Sequence, residues 1–107
     1  MDSFTVLADP SRRRVVEVLR HGPRSVGDLV HEVGVAQSGV SRHLRILEEA
    51  GFVRSRPDGQ RRFYELRPEP FIALDAWLAH YRVLWDERLD RFGAALLAAQ
   101  RPPEEDP

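Results

Sequence analysis

The sequence predicts a mostly α-helical chain carrying a small β-hairpin, and three observations lead there. Two short helical patterns are joined by the tight connection Val33-Gly34-Val35-Ala36. Two β-like segments flank Pro57-Asp58-Gly59 directly after the second helix. A helical pattern of about thirty residues without internal proline then starts at Phe71. Helix, turn, helix and hairpin in that order make a winged helix-turn-helix.

Asp9-Pro10 starts a helix, with an N-cap acceptor followed by proline at the first helical position. Val15, Val16, Val18 and Leu19 give it an apolar face, and Gly22-Pro23 stops it after about Arg20 or His21. Ser25 is a second N-cap, with Asp28 three residues on as a capping-box variant. That helix is short, with Leu29, Val30 and Val33 inward and Gly34 breaking it. A third helix is expected from about Gln37 to Ala50, with Val40, Leu44 and Leu47 on one stripe and Gly51 at the left-handed C′ position. Phe52–Arg56 and Arg62–Leu66 form the hairpin, and Arg67-Pro68-Glu69-Pro70 is a rigid break before the long helix, which runs to about Gln100.

The 107 residues, 42% of them hydrophobic, suit one domain over 1–100. Within it the helix-turn-helix part is expected over about 9–67 and a dimerisation helix over about 70–100, with 101–107 a disordered acidic tail. The absence of cysteine excludes disulfides, thiol catalysis and thiolate metal sites. No 18-residue apolar run and no signal-like N-terminus are present, so a cytoplasmic protein without a membrane partner is expected.

The formal net charge of −1 hides an asymmetry. Residues 1–67 hold 12 Arg against 9 acids, whereas residues 68–107 hold 4 Arg against 8 acids. All 16 basic residues are Arg, the better fork for phosphates and guanine edges.

The third helix carries the first functional signal. With Val40 at 0° on a helical wheel, Leu44 and Leu47 fall at roughly 40° and 340°, while Gln37, Ser41, Arg45, Ser38 and Arg42 fill an arc of roughly 60° to 200°. That arc has no acid until Glu48 and Glu49 in the last turn. Gln pairs bidentately with adenine and Arg with guanine, and Ser donates or accepts, so the arc suits a DNA major groove. His43, near roughly 300° on the wheel, flanks the core stripe and is either a packing residue or a phosphate contact. A helical bundle with an incidentally polar face would show the same wheel. The hairpin argues against it, because Arg54, Arg56, Arg61 and Arg62 converge on one loop whose only acid is Asp58. A basic wing beside an acid-poor helix is an electrostatic footprint for the DNA backbone.

Three stretches carry a resemblance: Leu7-Ala8-Asp9-Pro10-Ser11-Arg12-Arg13-Arg14, Val40-Ser41-Arg42-His43-Leu44, and Leu47-Glu48-Glu49-Ala50-Gly51-Phe52-Val53. Over about residues 4–67 the chain resembles the ArsR (ArsR/SmtB) bacterial transcription regulators. Asp75-Ala76-Trp77-Leu78 is similar to the start of the long helix in the metal-independent branch. The resemblance implies a homodimeric repressor that binds a palindromic operator and regulates its own operon. Two departures stand out: Ala36 is a weak cap where the family has a small polar residue, and Ser38-Gly39 are looser helix formers than usual.

The residues argue against metal sensing. The long helix offers Asp75, His80, Asp86, Glu87 and Asp90, and its only His does not share a face with Asp75. One His on the long helix of each subunit cannot build a tetrahedral nitrogen site without carboxylates, so neither a metal nor any other cofactor is expected. Ser41 and His43 face different ways on one helix, and no phosphate loop or paired inward carboxylate is visible, so no enzyme is expected. A metal- or small-molecule-responsive sensor of the same fold, and a winged-helix protein-interaction module that never touches DNA, stay open as alternatives.

The long helix supplies a partner. Thirty helical residues extend roughly 45 Å, with Leu74, Leu78, Tyr81, Trp85, Leu89 and Phe92 at steps of three or four and Trp77 on the flank. Left bare, this stripe would be a large apolar patch. Burial against the same helix of a second subunit resolves it, with Phe4 and Leu7 of an N-terminal helix added. Two recognition helices then lie one DNA turn apart, and the site is palindromic.

Overall fold

The computed structural model describes residues 1–100, so the tail expected to be disordered lies outside the described residues. In chain order the elements are α1 (Ser3–Ala8), α2 (Pro10–Leu19), β1 (Arg24–Ser25), α3 (Val26–Val33), α4 (Gln37–Glu49), β2 (Val53–Asp58), β3 (Arg61–Leu66) and α5 (Glu69–Gln100). The packing divides the chain into two units, residues 1–74 and the chain from residue 75 on.

In the first unit the helix ends follow local chemistry. Asp2, Asp9 and Ser25 each accept from a backbone N–H three residues on, which caps α1, α2 and α3. Ser25 and Asp28 form the full reciprocal capping box. Gly34, at φ 75°, ends α3 in the left-handed region and turns the chain toward α4. No side chain caps α4, as its Ala36 start implies.

The core of this unit draws on every element the sequence made apolar. Val15 and Leu19 of α2, Leu29 and Val33 of α3, and Val40, Leu44 and Leu47 of α4 are buried together with Val6, Phe52 and Val53. Each helix contributes residues at steps of three, four or seven, the pattern of one inward face. Phe71, in the first turn of α5, packs edge-on against Phe52 with ring centroids 5.5 Å apart.

The N-terminal helix expected to carry Phe4 and Leu7 is Ser3–Ala8, closed by Arg12, whose Nε donates to the Val6 carbonyl at 2.8 Å. Three local features differ from the sequence reading. Arg24-Ser25 adds a third strand, so the sheet runs β1-β3-β2 with Ser25 opposite Phe63. The hairpin is longer than expected, because Pro57 and Asp58 pair with Arg62 and Arg61 and the turn moves to Gly59-Gln60. Proline fits there because β2 is an edge strand, and Gly59 takes φ 64° at the first central position of the turn. Finally, α5 begins at Glu69, since proline at residue 70 falls in the first turn, where no N–H partner is needed.

In the second unit α5 carries exposed Trp77, Leu78, Tyr81, Trp85, Leu89 and Phe92; Trp85 is 50% and Phe92 62% exposed. Val83 and Leu97, also exposed, lie on the other side of the same helix. The Trp77 and Tyr81 rings meet at a tilt of 50° with centroids 4.9 Å apart, Arg88 lies over the Trp85 ring at 5.1 Å, and Arg82 pairs with Asp75 at 2.9 Å. No described helix is long and apolar enough to cross a membrane.

Candidate nucleic-acid interface

The second helix of the motif, α4, is held by its inner stripe. Val40, Leu44 and Leu47 are buried, which fixes the rotation of the helix and turns the opposite arc outward. Gln37, Ser38, Ser41, Arg42 and Arg45 are all exposed. None of these five side chains makes a hydrogen bond or ion pair among the described residues. Arg42 and Arg45 keep their full complement of donors for an outside acceptor.

His43 faces elsewhere. It is half-buried, and its Nδ1 is a buried atom without a hydrogen-bond partner among the described residues. It lies close enough to Asp9 to act on its carboxyl electrostatically. That carboxyl is held below its ordinary value chiefly by the Arg12 backbone N–H, with the His43 charge adding to the effect.

The entry to α4 depends on a close approach. A Cβ at Gly39 would stand 2.8 Å from Cγ1 of Val35, so the turn residue presses directly on the helix. The loose helix former noted in the sequence is the residue that lets this turn close.

The hairpin's four arginines are engaged unequally. Arg54 pairs with Glu65, directly opposite in the register, at 2.8 Å. Arg62 donates to the Ser55 hydroxyl at 2.9 Å. Arg61 donates to Ser25 Oγ at 2.8 Å, stands 3.6 Å from Asp28 Oδ1, and lies over the Phe63 ring at 5.2 Å. Only Arg56 of the four makes neither a hydrogen bond nor an ion pair among the described residues.

Between α4 and β3 lies a cleft of about 490 Å³ lined by Ser41, Arg45, Glu48, Glu49 and Tyr64. The sequence reading did not place Tyr64 there. Its strand position was legible, but that its side chain would share a cleft with Ser41 and Arg45 was not. The inward ties of Arg61 were equally invisible, because Ser25 is 36 residues away along the chain.

The residues assigned to a dimer contact separate into two groups. Leu7 and Leu74 pack, partly buried, against the core of the first unit, while Phe4 is 57% exposed. Trp77, Leu78, Tyr81, Trp85, Leu89 and Phe92 are exposed on α5. Among the described residues, no three His, Asp or Glu side chains come together as a metal site requires.

Comparison with known proteins places this geometry. The sequence model for bacterial regulatory proteins of the arsR family matches residues 9–55, from the N-cap of α2 into β2. The HTH-type transcriptional regulator Rv2034 of Mycobacterium tuberculosis is 44% identical over 72 residues, 67% of either chain. The transcriptional repressor SdpR of Bacillus subtilis is 30% identical over 78 residues, covering 73% of this chain and 87% of that one. A crystal structure described as a possible transcriptional regulator for arsenical resistance superposes with a TM-score of 0.70 at 37% identity, covering 89% of this chain and 96% of the other. With an exposed α4 arc, a basic hairpin and these relatives, the chain belongs to the ArsR family, whose members are winged helix-turn-helix transcriptional regulators and not enzymes.

Proposed function

We propose that this protein is a homodimeric repressor in the cytoplasm that binds a palindromic operator, α4 entering the major groove and the hairpin lying on the flanking backbone. The observation that carries the reading is the set of five outward side chains on α4, exposed and unpaired among the described residues. Gln37, Ser38, Ser41, Arg42 and Arg45 are the base-reading candidates, because amide, hydroxyl and guanidinium groups match the donor and acceptor pattern of base edges. Arg56 is the wing's phosphate contact, with Arg54 and Arg62 adding positive charge beside it.

Dimerisation is supported by the aromatic face of α5. Tyr81, Trp85 and Phe92 are exposed in the single chain, a cost that pairing with the same face of a second copy removes. The test is a footprint on the DNA upstream of its own coding sequence, repeated across a salt series. Protection of a two-fold-symmetric site that outlasts competitor DNA supports the reading. Binding that competitor DNA abolishes at every salt concentration refutes it.

A further inference from the structure

We propose that Arg61 is a positioning residue, a strut that holds the hairpin tip against the helix-turn-helix, and not one of the phosphate contacts. The proposal rests on the reading that the wing touches DNA. Arg61 opens β3 and pairs with Asp58 beside the turn, at the outer end of the hairpin. From there its Nη2 reaches back to Ser25 Oγ at 2.8 Å, with Asp28 Oδ1 at 3.6 Å, while the guanidinium covers the Phe63 ring.

Ser25 is a firm anchor. It is 4% exposed, it caps α3, and it sits in β1 opposite Phe63. The same hydroxyl that accepts from Arg61 also accepts from the Asp28 N–H at 3.2 Å. The strut therefore joins the tip of the wing to the N-terminus of α3, the helix whose C-terminal turn delivers α4. Of its contacts, the bond to the buried hydroxyl is the stronger tie. The exposed pairing with Asp28 is worth little.

Swinging the guanidinium outward onto a phosphate would break the Ser25 bond and draw it away from Asp28. Arg56 is under no such constraint. A wing tied in the free protein meets DNA with less ordering still to be done, which raises affinity without adding a counterion-releasing contact. That difference separates a strut from a phosphate contact experimentally, because the two change the salt slope differently.

The experiment compares the wild type, Arg61→Ala, Arg62→Ala and Arg56→Ala in the full chain, each shown to be folded by its thermal melt. Anisotropy with a duplex from the DNA upstream of its own coding sequence gives affinity and salt slope. Amide hydrogen exchange over residues 55–62 of the free protein gives wing order. The strut predicts that Arg61→Ala weakens binding about fivefold at every salt concentration, leaves the slope unchanged, and speeds exchange in the wing. Arg56→Ala should instead lower the slope by about one contact's worth and leave exchange alone. A lowered slope with unchanged exchange in Arg61→Ala overturns the proposal and makes this residue a phosphate contact. Unchanged affinity in Arg61→Ala also overturns it. If Arg56→Ala and Arg62→Ala leave affinity and slope unchanged too, the wing reading itself has failed; if Arg56→Ala lowers the slope, only the strut has.

Discussion

Val35 and Gly39 meet where α4 begins: a Cβ on residue 39 would lie 2.8 Å from Cγ1 of Val35. Val35 packs against the core, so it cannot simply swing away. Gly39→Ala gains up to about 1 kcal/mol of helix propensity but incurs an overpacking cost of about 1–3 kcal/mol. The expected result is a net loss of stability and weaker DNA binding. Val35→Ala opens the space, so the double variant should be more stable than the two single effects summed. Urea midpoints of the four proteins measure this coupling.

How much of this was legible follows from the same place. The sequence identified position 39 as a poor helix former, correctly, but propensity is local and the contact with Val35 is tertiary. The helix caps at Asp9 and Ser25 were readable because their acceptors and donors lie three residues apart. The apolar faces of α2, α3 and α4 were readable through their period. Arg24-Ser25 was not, because a two-residue strand has no period and takes its identity from Phe63 and Tyr64 across the sheet. The outward arc of α4 could be read from a wheel, whereas the commitments of Arg54, Arg61 and Arg62 depend on register and on a partner far along the chain.

The uncapped start of α4 offers a gain of stability. Ala36 has extended backbone angles suited to an N-cap but no side-chain acceptor for the free N–H groups of the first turn. Ala36→Ser should stabilise the protein by about 1 kcal/mol, seen as a raised urea midpoint, and should slow amide exchange over residues 37–40.

Acid should loosen the helix starts. The carboxyls of Asp2, Asp9 and Asp28 are lowered from 3.8, chiefly by the backbone N–H groups of Thr5, Arg12 and Ser25 respectively. A carboxyl whose pKa is lower folded than unfolded stabilises fully above the unfolded value and stops doing so as pH falls through the folded one. These three groups should therefore leave the urea midpoint flat between about pH 5 and 7 and make it fall below about pH 4. Asp9→Asn, which keeps an acceptor but cannot ionise, should show a shallower fall.

The aromatic face of α5 should control assembly. Trp85→Glu or Phe92→Glu places a charge among Leu78, Tyr81 and Leu89, the residues proposed to meet their counterparts in a second copy. Sedimentation equilibrium should show the dimer constant weakened by at least about tenfold, with the melting of the α2–α4 core nearly unchanged at high protein concentration. Val83→Glu, on the other side of α5, should have the smaller effect.

In the proposed function α4 reads DNA sequence and the wing reads its backbone. The most direct measurement is the affinity of the wild type, Arg42→Ala and Arg56→Ala for the protected operator and for the same duplex with single base pairs changed. Arg42→Ala should lose discrimination worth about 1–3 kcal/mol at particular base pairs. Arg56→Ala should weaken every duplex alike and reduce the salt slope. If Arg42→Ala keeps the wild-type ranking of sequences while Arg56→Ala changes it, the roles assigned to α4 and the wing are contradicted.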